Sequence, residues 1–156
     1  AEEYNRPIIF STHPRTKNRL DKISDEIAPN KLIQFVKPFG YFDYLNLQIN
    51  ATCVISDSGT ITEESSILGF NAITIRNAHE RPEGMDEGTL IMTGLDKDII
   101  LKSIEVLLSQ SERLSPKIVN DYSSESVSLK VVRIILSYTN YINNFIWKKD
   151  VSSKSF

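Results

Sequence analysis

Cysteine occurs once in the 156-residue chain, as Cys53. A single thiol excludes an internal disulfide and a cysteine-rich metal site. Cys53 stands in the apolar run Thr52-Cys53-Val54-Ile55, where a buried, inert thiol is expected rather than a nucleophile. No apolar run approaches the length of a membrane span. An excess of one charge is missing too. The 18 basic and 20 acidic side chains leave a formal charge of −2, which implies no general affinity for nucleic acid. Internal repeats, low-complexity segments and linkers are also lacking. The start, Ala1-Glu2-Glu3-Tyr4, has no initiator methionine and no signal-peptide pattern. It reads as a cut made inside a longer protein, with room for a vector remnant, and the expected setting is the cytoplasm.

What remains suits one domain over residues 1–156, with 40% apolar residues to build a core. Strand patterns fall at residues 7–12, 32–36, 52–56, 71–75 and 90–93. Helix patterns lie between them, at residues 16–27, with Leu20, Ile23 and Ile27 on one face, and at 41–49, with Leu45 and Ile49 inward. Another follows Ser58-Gly59-Thr60 and ends at Gly69. A further helix starts at Asp96 and carries Ile100, Ile104, Leu107 and Leu108. Residues 109–124 read as irregular with a short helical turn, and about 126–149 as one long helix with an apolar stripe from Val127 to Phe145. Strands alternating with helices imply an α/β fold with a parallel sheet covered on both faces. Such sheets bind ligands at the carboxyl ends of their strands. Three polar stretches fall at that edge: His13-Pro14-Arg15, Asp57-Ser58-Gly59 and the loop from Arg76 to Gly84.

The central stretch is Asp57-Ser58-Gly59-Thr60-Ile61-Thr62-Glu63-Glu64. Gly59 allows close approach of a backbone or ligand. The first helical amides are unpaired donors that can receive a phosphate. Thr60 and Glu63 have the spacing of a capping box, and Gly69 is placed to end the helix in a left-handed conformation. Alone, a strand–Ser-Gly–helix turn also serves as a mere connection, and Glu80-Arg81-Pro82-Glu83-Gly84 as an ordinary surface loop.

In fixed order the combination is far more specific. It resembles the non-hydrolysing UDP-N-acetylglucosamine 2-epimerases, whose second domain carries Asp-Ser-Gly-Gly-x-x-Glu-Glu, a strand, Arg-x-x-x-Glu-Arg-Pro-Glu-Gly and Gly-Thr. The matching residues are Asp57 to Glu64, Arg76, Glu80 to Gly84, and Gly88-Thr89. Thr60 departs from the pattern, standing where a second glycine is usual. The resemblance runs from about Pro7 to Lys149 and covers only the second half of a whole enzyme. It implies a Rossmann-like parallel sheet with helices on both faces, similar to the carboxyl-terminal domain of a GT-B-type two-domain enzyme.

The resemblance also implies roles. Ser58, Gly59 and Thr60 meet the diphosphate of UDP, Arg81 meets phosphate, Glu64 the ribose hydroxyls, and the main chain at Tyr44 the uracil. His13 corresponds to a family histidine near the phosphates and the reaction centre, and is the one catalytic residue expected in this chain. Its plainer role is a turn residue bonded to the backbone. Arg15 is a weaker candidate for the same pocket, Tyr44 is equally a core tyrosine, and His79 reads as loop. No cofactor and no catalytic metal is implied. The family reaction inverts carbon 2 of a UDP-linked N-acetylhexosamine, and its carboxylates lie in the missing amino-terminal domain.

Thr12-His13-Pro14-Arg15-Thr16-Lys17 and the stretch from Tyr141 to Lys149 look closer to a bacterial branch serving capsular or O-antigen polysaccharide. Some members of that branch act on 6-deoxy sugars. The long last helix is expected to carry more apolar surface than this domain covers, so a homodimer is expected. The expected partners are a UDP-sugar and the missing domain, with no nucleic acid and no membrane. Two other readings stay open: the donor-binding domain of a UDP-sugar glycosyltransferase, and a non-enzymatic α/β interaction module.

Overall fold

The computed structural model describes residues 1–24, 30–78, 80–110 and 118–149. They fall into two compact units, Ala1–Thr52 and Cys53–Phe156. Both are α/β, built from parallel strands alternating with helices.

In the first unit, strand β1 (Ile8–Ser11) pairs in parallel with β2 (Ile33–Val36), Ile8 opposite Ile33 and Phe10 opposite Phe35. The Phe10 and Phe35 rings meet at 5.4 Å. Helix α1 (Pro14–Leu20) follows β1. Its first turn suits proline, whose missing N–H would have no partner there. The helix therefore starts two residues before the expected Thr16. Ile27 lies outside the described residues. Helix α2 (Tyr41–Asn50) follows β2. It turns Gln48 inward, while Ile49 is half exposed. Gln48 is the buried residue of this helix, with Tyr44, Leu45 and Leu47 half-buried beside it.

In the second unit, β3 (Val54–Ser56), β4 (Ala72–Thr74) and β5 (Leu90–Met92) form a parallel sheet in that order. The expected single sheet is thus recorded as a pair and a triplet of strands. Helix α3 (Ile61–Leu68) connects β3 to β4 and ends at Gly69 with φ +72°, as the sequence predicts. The core lies here: Ile61, Phe70, Ala72, Ile73 and Leu90 are buried. At about 25 cal/mol per Å2, burial of such side chains contributes roughly 1.5–3 kcal/mol each.

The segment after β4, expected as loop, contains helix α4 (Pro82–Asp86), again with proline at its start. Helix α5 (Lys97–Gln110) follows β5. Asp96 caps it by accepting from the Ile99 amide at 2.9 Å. Ile100, Ile104 and Leu107 are half-buried on the expected face, and Leu108 is exposed. A 3-10 turn, Asn120–Tyr122, precedes helix α6 (Val127–Tyr141). The expected single helix to Lys149 ends earlier, in a π-helical turn, Ile142–Ile146. The surplus apolar surface is present: Val131, Ile134, Ile135, Tyr138, Tyr141, Phe145 and Trp147 are all exposed. Among the described residues no helix is long and apolar enough to cross a membrane.

Gly84 is where α4 touches α3. A β-carbon there would overlap Thr62 Cγ2 and lie 3.2 Å from Thr89 Oγ1. Thr62 is β-branched and buried, so it cannot swing aside. Gly84→Ala is expected to lower stability by about 1–3 kcal/mol through overpacking. Its gain in helix propensity, at most about 1 kcal/mol, offsets part of this. A urea midpoint equal to or above that of the parent chain would contradict the tight contact.

Candidate functional site

The strand β3 delivers the chain at Ser56 into the turn Asp57-Ser58-Gly59-Thr60. Serine hydroxyls organise this turn. The Ser58 amide donates to Ser56 Oγ at 3.0 Å and the Thr60 amide to Ser58 Oγ at 3.3 Å. Two of the amides expected for a phosphate are therefore held by local hydroxyls. Thr60 is the first residue outside α3, but its backbone is already helical, with φ −78° and ψ −7°, and its side chain makes no cap. A capping side chain needs an extended backbone to reach forward to the amides. The expected capping box between Thr60 and Glu63 is thus not formed. The Thr60 hydroxyl turns instead to Glu64, donating to Oε1 at 2.7 Å, and lies 3.0 Å from Ser58 Oγ.

Glu63 takes a different partner. Its Oε1 accepts from Nε of Arg81, the residue that precedes α4. The other oxygen, Oε2, is buried with no hydrogen-bond partner among the described residues. With Nε committed, the guanidinium of Arg81 extends toward the turn. A β-carbon at Gly59 would lie 3.0 Å from Arg81 Nη1 and 3.4 Å from Arg76 Nη1. Two arginines thus converge on the one residue that lacks a side chain. They line a cleft with Ser58, Gly59, Thr62, Thr74, Glu80, Met85 and Leu90. The cleft holds only about 10 Å3 of free volume, too little for more than one water.

Behind Arg81, Glu83 in the first turn of α4 accepts from the Tyr122 hydroxyl at 2.7 Å. Burial, then this bond, then the charges of Glu83 and Glu63 push the Tyr122 hydroxyl well above the ordinary tyrosine value, with Arg81 opposing. Tyr122 therefore stays a neutral donor. Burial also pushes the Cys53 thiol up to about 12, in keeping with an inert role.

The second unit brings together five of the expected site residues: Ser58, Gly59, Thr60, Glu64 and Arg81. Tyr44 and His13 belong to the first unit. Tyr44 is half-buried in α2, its amide donating to Gly40 at 2.9 Å. His13 is exposed and caps α1, its Nδ1 accepting from the Arg15 amide at 3.2 Å. A neutral His13 ring then carries its proton on Nε2. Arg15 is exposed, and His79 lies outside the described residues. Sequence reasoning gave Arg76 no role, although it stands at the carboxyl end of a strand as Arg81 follows one. Tyr122 was not foreseen; its partner is 39 residues away. Among the described residues no cluster of three or more His, Cys, Asp or Glu is placed to hold a metal.

Parallel sheets with helices packed on them, and a strand–turn–helix edge bearing the polar cleft, define a Rossmann-like α/β protein of the GT-B kind. Residues 1–136 match the family model described as UDP-N-acetylglucosamine 2-epimerase, and the chain belongs to that family. It is 38% identical over 142 residues to the UDP-N-acetylglucosamine 2-epimerase of Methanocaldococcus jannaschii, covering 90% of this chain and 37% of that protein. It superposes on the structure of UDP-N-acetylglucosamine 2-epimerase from Rickettsia bellii with a TM-score of 0.74 and 46% identity, over 95% of this chain and 41% of that one. It also superposes on the M. jannaschii enzyme in complex with UDP-GlcNAc and UDP, with a TM-score of 0.71 and 35% identity, over 87% of this chain and 37% of that one. The chain thus spans about two fifths of the length of these relatives.

The shifts at Cys53 and Tyr122 predict how stability depends on alkali. Both groups hold their protons more tightly folded than unfolded, so the unfolded chain loses protons first as pH rises. Stability therefore falls from about pH 9, where an unfolded thiol titrates, toward 12. Cys53 contributes a slope of at most about 1.4 kcal/mol per pH unit. Urea midpoints across this range should fall, and Cys53→Ala should flatten the fall. A midpoint that rises above pH 9 would contradict the raised value of this half-buried thiol.

Proposed function

We propose that this chain is the UDP-binding half of a UDP-sugar 2-epimerase. Its parent interconverts UDP-N-acetylglucosamine and UDP-N-acetylmannosamine, or a related UDP-2-acetamido-6-deoxy sugar, for cell-surface polysaccharide. The observation that carries the proposal is the convergence of Arg76 and Arg81 on Gly59 at the mouth of α3, with Glu64 one turn inside. Guanidinium forks match phosphate oxygens. A carboxylate beside them repels phosphate and suits hydroxyls, which a ribose supplies. The ligands printed for the M. jannaschii relative, UDP-GlcNAc and UDP, support this reading.

The chemistry explains why cations belong there. A base removes the proton from carbon 2 of the sugar. The bond from carbon 1 to the diphosphate oxygen breaks, and its electron pair leaves with UDP. Return of a proton to the opposite face of carbon 2, and re-addition of UDP to carbon 1, complete the inversion. The departing diphosphate gains negative charge as the bond breaks. Fixed guanidinium groups stabilise that charge more in the transition state than in the bound sugar nucleotide. Arg81 and Arg76 take this role. The carbon acids and bases come from the amino-terminal domain, which is the first partner of this half. A second copy of the enzyme is the other, and the exposed apolar stripe of α6 supports an assembly larger than this chain. Family membership favours epimerisation over glycosyl transfer.

Two assays test the reading. Full-length parent protein should form the epimer with no acceptor present, whereas the 156-residue chain alone should form none; a strict need for an acceptor would make the parent a glycosyltransferase. In titrations of the chain, Arg81→Ala should weaken UDP by about 1.5–3 kcal/mol, the scale of a charged hydrogen bond, and barely change uridine. Glu64→Ala should weaken UDP and uridine alike, and 2′-deoxy-UDP should lose most of its sensitivity to that change. Equal loss of UDP and uridine on Arg81→Ala removes the phosphate role.

A further inference from the structure

Thr60 has one hydroxyl proton to give. Glu64 Oε1 accepts it at 2.7 Å, and a carboxylate can only accept. The 3.0 Å contact between Ser58 Oγ and Thr60 Oγ1 therefore runs from Ser58 as donor to Thr60 as acceptor. Ser58 Oγ in turn accepts from the Thr60 amide at 3.3 Å, and the Ser58 amide donates to Ser56 Oγ at 3.0 Å. The bonds make one continuous path from the last residue of β3 into the first turn of α3: Ser56, Ser58, Thr60, Glu64. The link to Glu64 depends on the side chain at position 60. The glycine usual there in the family pattern has no hydroxyl to supply it.

We propose that Thr60 is a positioning residue for the sugar of the nucleotide: its hydroxyl holds the Glu64 carboxylate in register with the phosphate turn, and so sharpens the preference of this chain for ribose over 2′-deoxyribose. This rests on the reading of Glu64 as the ribose ligand. A carboxylate offers about four acceptor sites, and the Thr60 bond takes one of them. What the bond restrains is the torsion of a long side chain, whose ordering otherwise costs binding energy. Glu64 has a further contact besides this one, so losing the Thr60 hydroxyl loosens the carboxylate without releasing it, and the expected effect is modest. The hydroxyl is not spent on the helix. Thr60 makes no side-chain cap and its backbone is already helical, so the hydroxyl can be removed without uncapping α3. The Thr60 amide, expected at the diphosphate, stays in place whatever the side chain; the hydroxyl acts through Glu64.

Thr60→Val removes the hydroxyl and keeps the shape, and Thr60→Ser keeps the hydroxyl. Titration of the 156-residue chain with UDP and with 2′-deoxy-UDP reads the effect. Thr60→Val should weaken UDP about twofold to fivefold, within the range of one hydrogen bond, and 2′-deoxy-UDP less than about 1.5-fold. Thr60→Ser should restore binding of UDP to within about 1.5-fold of the unsubstituted chain, because the donor is back. In a Glu64→Ala background Thr60→Val should change UDP less than about 1.5-fold, because the group it positions is gone. Equal losses of UDP and 2′-deoxy-UDP on Thr60→Val, losses that add to those of Glu64→Ala, or a Thr60→Ser chain as weak as Thr60→Val overturn the proposal. If the unsubstituted chain prefers UDP to 2′-deoxy-UDP and Glu64→Ala abolishes that preference while Thr60→Val leaves it intact, only the positioning role falls. If the unsubstituted chain shows no such preference, or keeps it in Glu64→Ala, the ribose reading of Glu64 falls and takes this proposal with it.

Discussion

The ion pair between Glu63 and Arg81 ties the mouth of α3 to the start of α4, and so joins the carboxyl ends of two adjacent strands, β3 and β4. Its net contribution to stability is small by ordinary arithmetic, because withdrawing both charges from water offsets their attraction. One Glu63 oxygen is buried with no hydrogen bond among the described residues, which adds to that cost. What the pair fixes is direction. An arginine can spend Nε on a carboxylate and still present its Nη groups elsewhere, and a lysine, with one charged nitrogen, cannot do both. The geometry at Gly59 follows from this division of one side chain between two tasks.

The stiffness needed for that division comes from directly beneath it. Ile61, Ala72, Ile73 and Leu90 are almost wholly buried under the turn and the cleft. Elsewhere large apolar residues remain in contact with water, on β1 and β2 as well as along α6. The fully buried apolar residues among the described ones all belong to the unit that carries the two arginines. Binding sites depend on such support, since an arginine on a loose loop spends binding energy on being ordered.

Much of this could be read from the residues. The alternation of strand and helix, the turn at Ser58-Gly59, the left-handed end of α3 at Gly69 and the cap at Asp96 rest on local preferences. Other features could not be read that way. Thr60 and Glu63 have capping-box spacing, but spacing does not say at which residue the backbone becomes helical, and that decides whether the box forms. Pro82 signals a helix start, yet the charged residues around it read equally well as loop, and α4 is only one turn and a half long. The face of α2 was placed one residue off because Gln48, a polar residue, is the buried one. The bond from Tyr122 to Glu83 has no local signature at all. Contacts across 39 residues are set by the fold and leave no spacing to find.

The departure at Thr60 shows what each glycine of such a turn is for. A side chain at position 59 would meet two guanidinium groups, one at 3.0 Å, so glycine serves there for close approach and not for unusual backbone angles. Position 60 has ordinary helical angles, which residues other than glycine adopt without strain. Its hydroxyl is engaged by Ser58 and Glu64. The second glycine of the family pattern is therefore not required by the backbone in this chain. A threonine there adds a hydroxyl that links the turn to the carboxylate one helical turn on. It orders the two groups read as phosphate and ribose ligands through one short hydrogen-bonded chain, Ser58 to Thr60 to Glu64. The steric demand of the site is thus concentrated on a single residue, Gly59, and its neighbour is left free to contribute a side chain.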